Sequence, residues 1–305
     1  MPAEPATLPS GTPRTAVIGA RGFLGTRFLA ALRAADPATA GTTRDGAGER
    51  MVSLDLAAPD VRPLRLRATG HRAAIICAGV GALVQCERDP AGTRRVNVDG
   101  TLELARQLHA EGIVPVFLSS DCVFGGDAAP YADEAAAAPL NEYGRQKAEV
   151  ERRLREELPG AHLTARLSKG FSLERGSGTL LDDMARRIVA GGFAAADDQV
   201  FCPTLAGDTV RAVCALLAAG ARGTVNVCSP EGWSWHGLAT AMAAALGADP
   251  ASVRRISIDE LGGGVRRPHD IRMLPERLGR ETGCRFRDMA SCISEVAAAW
   301  RGGPA

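Results

Sequence analysis

The stretch Thr15-Ala16-Val17-Ile18-Gly19-Ala20-Arg21-Gly22-Phe23-Leu24-Gly25 decides how this 305-residue chain folds. Its first four residues read as a short buried strand. Glycines at 19, 22 and 25 then give the spacing G-x-x-G-x-x-G, and an apolar helical pattern continues through Leu32. Strand, glycine turn and helix in this order are a variant of the dinucleotide fingerprint. The glycines permit a tight turn, close approach of backbone to a pyrophosphate, and close packing of helix on strand. The helix N-terminus adds free N–H groups and the positive end of its dipole. Gly19, Arg21, Gly22, Phe23, Leu24 and Gly25 are therefore candidate cofactor-binding residues. A glycine fingerprint alone is weak evidence, so its weight depends on the residues downstream of it.

Further short apolar runs, bounded by turn or charged residues, predict strands at 39–43, 51–54, 73–77, 113–118 and 163–167. Helical spacing predicts helices over about 90–110, where Gly112 stops the run, and over about 141–158. Strands alternating with helices give right-handed crossovers and a parallel sheet, an α/β fold of the doubly wound Rossmann type, with ligands gathering beyond the carboxyl ends of the strands. Gly19, Cys77-Ala78-Gly79 and Ser120 all fall at such ends. Beyond about 166 the pattern loosens: helices are expected at 179–190, 207–219, 234–246 and 289–300, with strands at 225–227 and 254–258. Gly262-Gly263-Gly264-Val265 reads as a loop leading into Arg266-Arg267-Pro268. The expected organisation is a disordered leader over 1–13, a nucleotide-binding domain over 14–165, and a smaller substrate-binding part over 166–305 interleaved with it.

The composition is 46% hydrophobic and 23% charged with a net charge of +1. That balance argues against a nucleic-acid partner. No run approaches the ~18 apolar residues of a membrane span, and the N-terminus lacks the layout of a signal peptide, so a cytoplasmic location is expected. The eight cysteines are scattered through apolar segments without C-x-x-C or a Cys/His cluster. Reduced, buried thiols are expected, with neither a metal site nor a disulfide framework.

The chemistry resides in Leu140-Asn141-Glu142-Tyr143-Gly144-Arg145-Gln146-Lys147. A Tyr and a Lys four apart share one helix face. The ammonium is expected to pull the Tyr143 pKa from about 10 toward neutrality, which suits a general acid. Ser120, ending the strand before this helix, would add a hydroxyl to hold a carbonyl oxygen. A solvated helix face is the plainer reading of such a pair, but only two tyrosines exist, Tyr131 and Tyr143. Arg44 follows the second strand, where an Arg pairs with a 2′-phosphate and an acid with a free ribose hydroxyl; NADP(H) is thereby favoured over NAD(H), although Asp45 stands beside it. Arg21 either helps to hold the phosphate or is a solvated side chain.

These residues carry a resemblance. The chain is similar to the extended short-chain dehydrogenase/reductases, and within them to the dTDP-4-dehydrorhamnose reductase group, from Arg14 to Trp300. The likeness rests on the glycine turn, Val84-Gln85-Cys86-Glu87-Arg88-Asp89-Pro90, Val96-Asn97-Val98-Asp99-Gly100-Thr101, Ser120-Asp121-Cys122-Val123-Phe124, Pro139 to Gly144 with Lys147, Asp198-Gln199, Pro203-Thr204, Ser234-Trp235 and Arg266-Arg267-Pro268. It implies an NAD(P)H-dependent reductase of a nucleotide-linked 4-keto sugar with Ser120, Tyr143 and Lys147 as its triad, and a possible homodimer. It also implies that Asp55 and Leu56 lie at the adenine, with Asp55 as an ordinary turn residue the alternative. The sugar is implied to meet Ser120, Cys122 and Lys169, and the sugar nucleotide Arg267. Departures from the group, Ser120 for Thr, Cys122 for an aromatic residue and Lys169 for Trp, bear on which sugar is bound. Cys122 raises a rival reading as a sugar-nucleotide epimerase or epimerase-reductase, although Leu167 to Gly178 holds no His partner for it; a pocket-wall thiol is the favoured role. A second rival is a non-catalytic NADP-binding subunit similar to the β subunit of methionine adenosyltransferase.

Overall fold

Seven strands, β1 (Thr15–Ile18), β2 (Gly41–Thr43), β3 (Met51–Ser53), β4 (Ala73–Ile76), β5 (Val114–Ser120), β6 (Leu163–Leu167) and β11 (Gly223–Val227), form one wholly parallel sheet in the order β11-β6-β5-β4-β1-β2-β3. The computed structural model describes residues 7–261 and 264–302. β1 and β4 are buried at every position, as strands covered on both faces are, the one polar residue, Thr15, donating its hydroxyl to the Pro13 carbonyl. One face packs against α1 (Phe23–Ala35) and α7 (Ala206–Ala218); the other packs against α4 (Thr101–Ala110) and α5 (Glu142–Glu157).

The chain runs outward from β1 through β2 and β3, then returns to place β4 on β1's other side. That reversal opens a crevice at the carboxyl ends of β1 and β4, where open α/β sheets bind ligands. β11, from the C-terminal part, pairs with β6 along Gly223 to Val227 and completes the sheet, so the two parts share one core.

A second apolar cluster is built from α6 (Leu180–Val189), α8 (Trp235–Leu246) and α10 (Met289–Arg301). Three small two-stranded sheets attach to it: β7 (Gly170–Phe171) with β10 (Thr204–Leu205), β9 (Val200–Phe201) with β12 (Trp233–Ser234), and β8 (Phe193–Ala196) with β13 (Val253–Ile256). Of these strands β13 meets the one expected at 254–258; the others, α2 (Leu83–Arg88) and α9 (Glu276–Thr282) have no periodic signal long enough to predict them.

The helix expected over 90–110 is three pieces: α3 (Pro90–Arg94), a π-helical stretch over Arg95–Gly100, and α4. The wider turn aims Asn97 inward, and Gly100 passes so close to the 56 carbonyl that a Cβ there would lie 1.7 Å from the oxygen. Residues 1–6 of the expected leader, and Gly262-Gly263 of the expected loop, lie outside the described residues. Leu8 packs against the β1/α1 side of the core.

Candidate active site

The turn after β1 has the geometry its glycines foretell. Gly19 takes φ +84°, and a Cβ there would lie 2.6 Å from the Ala78 backbone nitrogen. A Cβ on Gly25 would lie 2.2 Å from the Gly19 carbonyl oxygen, so only glycine lets α1 seat on the turn. Around Gly22 the space is open, with no atom within 3.5 Å of the position of a Cβ. α1 starts without a side-chain cap or an acidic residue in its first turn. Its first N–H groups are thus left for an anion, and the chain fits the phosphates of a dinucleotide here.

Phe23, Leu24, Cys77, Ala78, Gly79, Ser120, Cys122, Tyr143, Lys147, Lys169 and Arg267 all line one cleft of about 620 Å³ at the crevice between β1 and β4. Scattered from position 23 to position 267 along the chain, they are gathered by the parallel topology. Arg21 and Arg44 stand outside the cleft. Arg21 grips the Asp45 carboxylate through both oxygens, at 2.9 and 2.7 Å. That pairing takes Asp45 away from Arg44, whose exposed side chain stays unengaged among the described residues. Asp55 accepts from the Ala57 N–H at 3.0 Å and closes a turn, the alternative role foreseen for it; the Leu56 side chain is buried in the core.

α5 presents the reactive pair. Asn141 caps it by accepting from the Gly144 N–H at 2.9 Å, and its amide donates to the Arg266 carbonyl at 3.1 Å, tying the late loop to the helix start. A Cβ on Gly144 would lie 2.1 Å from the Cys122 carbonyl oxygen. Glycine here lets α5 lie directly on the turn that comes after β5, so Tyr143 and Ser120 border the same space. Asn97, swung inward by its π turn, clasps Val80 through its N–H (2.7 Å) and carbonyl (3.0 Å) and donates to Gln146 of α5 at 2.8 Å. The backbone after β4 is thereby fastened to the helix bearing Tyr143.

Lys147 does not meet the phenol. Its Nζ donates to the Leu118 carbonyl at 2.8 Å and sits 5.6 Å from the Tyr143 ring centroid and 4.6 Å from that of Phe117. Burial pushes the Lys147 amine down to about 8, against the pull of Glu151 one turn along α5. The same burial pushes the Tyr143 phenol above its ordinary value, while the Ser120 hydroxyl acts in the opposite sense. The expected lowering of the Tyr143 pKa toward neutrality is therefore corrected: sharing a helix face brings the two side chains into one site without the contact that stabilises a phenolate. Tyr143 is instead a protonated phenol at neutral pH. Tyr131 is committed elsewhere, stacked on Phe124 with ring centroids 4.0 Å apart and its oxygen accepting from the Gly126 N–H at 2.8 Å.

Asp121 is a site residue that the motifs do not single out. It is buried, accepts from Ser120 Oγ at 3.0 Å and from Ser168 Oγ at 2.7 Å, and burial raises its pKa. Its only signal in the sequence is its place between Ser120 and Cys122. The Ser120 hydroxyl also accepts from the Cys122 N–H at 3.2 Å, which fixes its orientation. Burial pushes the Cys122 thiol up to about 12, with the charge of Asp121 adding to the effect. Cys122 is a protonated wall residue, with no His lining the cleft beside it.

Residues 14–301 match the model of the RmlD substrate binding domain. The chain belongs to that family. Within the RmlD family it is 30% identical to a dTDP-4-keto-6-deoxy-D-glucose reductase of Streptomyces niveus, over 84% of this chain and 87% of the relative. It is 31% identical to a dTDP-4-dehydrorhamnose reductase of Streptomyces griseus, over 81% and 80% of the two chains. In architecture it superposes on the dTDP-4-dehydrorhamnose reductase of Bacillus anthracis, solved with NADP, with a TM-score of 0.79 at 19% identity, over 93% of this chain and 97% of the other. Among the described residues no helix is long and apolar enough to cross a membrane, and no group of three His, Cys, Asp or Glu side chains is placed to hold a metal ion.

Proposed function

We propose that this protein is an NADPH-dependent reductase of a nucleotide-linked 4-keto sugar. The observation that carries the reading is the convergence of Ser120, Tyr143 and Lys147 on the one cleft that begins at the uncapped glycine turn. The activities named for the Streptomyces relatives supply the substrate class.

NADPH, when bound, supplies the hydride. The first N–H groups of α1 would hold its diphosphate, and Arg44 its 2′-phosphate, since Asp45 is occupied by Arg21. Tyr143 donates its proton to the oxygen of the ketone as negative charge develops there. A phenol kept protonated by burial is in the correct form for that step. Lys147, anchored to the Leu118 carbonyl, contributes positive charge beside the reacting oxygen, and Ser120 holds that oxygen in place. Arg267 would grip the diphosphate of the sugar nucleotide; its guanidinium donates to the Leu261 and Val265 carbonyls at 3.2 Å, which stiffens it without neutralising it.

Purified protein with NADPH and a panel of nucleotide-linked 4-keto sugars is expected to lose the absorbance of the reduced nicotinamide with at least one of them. No oxidation with any member, with NADPH bound, overturns the reading in favour of a non-catalytic NADP-binding protein.

A further inference from the structure

Lys169 stands apart from the other polar groups of the cleft. Its backbone is held on both sides. Ser168 before it donates to Asp121 and accepts from the Cys202 N–H at 3.3 Å, and the Lys169 carbonyl accepts from the Thr204 N–H at 3.0 Å. Gly170 and Phe171 after it are paired in β7. The side chain that springs from this rigid base lines the cleft, and among the described residues its ammonium has no hydrogen bond and no ion pair. It stands over the face of Trp235, 6.0 Å from the ring centroid.

The neighbours that could have answered the charge are already engaged. Asp121 is shared between Ser120 and Ser168. Gln199 accepts from the Trp235 indole N–H at 2.9 Å and donates to the Pro268 carbonyl at 2.8 Å. Lys169 also lies at the reacting end of the cleft: Ser168, just before it, bonds Asp121, the neighbour of Ser120, and the Lys169 charge acts on both Asp121 and Cys122. A cation on a fixed backbone, next to the reaction centre and with no partner in the protein, is arranged to be answered by what enters.

We propose that Lys169 determines which sugar is accepted, by donating a charged hydrogen bond to an oxygen of the substituent on a ring carbon adjacent to the ketone. The shared chemistry is an accepting oxygen, supplied either by a hydroxyl at C3 or by a carboxylate carried on C5. The inference rests on the reductase reading, which places the ketone beside Ser120 and Tyr143.

The test uses the wild-type protein, Lys169→Met and Lys169→Arg, with NADPH and four nucleotide-linked 4-keto sugars: with and without the C3 hydroxyl, and with methyl or carboxylate on C5. With the preferred sugar, Lys169→Met is expected to raise KM roughly 10- to 100-fold, the range of a hydrogen bond to a charged group, with kcat little changed. Lys169→Arg should restore most of the loss. Removing the recognised oxygen from the sugar should cost the wild-type protein the same factor and cost Lys169→Met nothing, and the arm that shows this coupling identifies the oxygen. Equal KM values for wild type and Lys169→Met, a fall in kcat alone, or no coupling in either arm overturns the proposal. If the wild-type protein reduces none of the four, the reductase reading falls by itself. The same protein and sugar pairs, compared by equilibrium binding in the presence of NADPH, then decide the role of Lys169.

Discussion

On the wall of the cleft formed by β5, α5 and the turn between them, polar side chains are answered within the protein. Lys147 has the Leu118 carbonyl, Ser120 has Asp121 and the Cys122 N–H, and Asn97 joins Val80 to Gln146. On the wall formed by the segment after β6 and the late loop, Lys169 and Arg267 make no ion pair among the described residues. Those bonds fix the side chains of the first wall that surround Tyr143, which makes it rigid and able to hold a proton at a defined atom. The second leaves positive charge for the ligand to complete. Chemistry and selectivity are thereby assigned to different parts of the chain, and each can be disturbed without the other.

The largest effect is expected from the reacting wall. Tyr143→Phe should lower turnover by roughly 10²–10⁴-fold, the usual cost of a lost general acid, while leaving NADPH affinity nearly unchanged. Steady-state kinetics and a fluorescence titration with NADPH check this, and an undiminished kcat would remove Tyr143 from the mechanism. Gly144→Val tests whether that wall depends on its close packing. Its Cβ would meet the Cys122 carbonyl oxygen at 2.1 Å, so α5 must move; a loss of about 1–3 kcal/mol in stability, with activity falling alongside, is expected. Gly207→Ala in α7 is the control. No atom lies within 4 Å of its Cβ position, and denaturant midpoints should show it neutral or slightly stabilising.

How much of this can be read from the chain depends on the range of the interaction. β1 and its turn are legible because three apolar residues and three glycines act on one another locally. The Tyr143/Lys147 face is legible for the same reason. Asp121, Asn97 and Gln146 are not, because their roles rest on partners far along the chain: Ser168 lies 47 residues from Asp121, and Gln146 lies 49 from Asn97. Nothing in local periodicity distinguishes a buried, bonded Asn from one in a solvated helix. The Tyr143 pKa is out of reach on similar grounds: helical spacing gives proximity, but whether Lys147 bonds the phenol or the Leu118 carbonyl is decided by β5.

The cofactor end should respond more mildly. Arg44→Ala is expected to weaken NADPH binding by roughly tenfold or more, the worth of a charged hydrogen bond to phosphate, and to leave NADH binding unchanged. Arg21→Ala releases Asp45, whose carboxylate is now held well below the usual range, to about 2, by the Arg21 guanidinium. The freed acid would repel the 2′-phosphate, so this variant too should lose NADPH preferentially. Equal losses for both cofactors would return Arg44 and Arg21 to the solvated surface.

The pH dependence separates the two ionisable groups of the reacting wall without mutation. With its pKa pushed down to about 8, Lys147 is charged below that pH and neutral above it. Loss of the charge removes support for the developing alkoxide, so kcat/KM, which reports the free protein, should fall as pH rises through about 8. The phenol of Tyr143, raised by burial, stays protonated across that window and cannot produce the fall. A profile that stays flat well above that pH would show that the Lys147 charge is not used.

Cys122→Ser is expected to have the smallest effect, and it bears on the rival epimerase reading. A base that removes a proton beside the ketone must be ionised near neutrality. Burial and the adjacent Asp121 hold the Cys122 thiol at about 12, and the opposing charge of Lys169 does not cancel them. Serine keeps the size of a wall residue and discards the thiol. Turnover in Cys122→Ser should therefore stay within about twofold of wild type, and product formed in deuterated water should carry no deuterium on the carbons flanking the new alcohol. Deuterium at such a carbon, lost in Cys122→Ser, would make the thiol a base despite its burial and would move the protein from simple reduction to epimerisation followed by reduction.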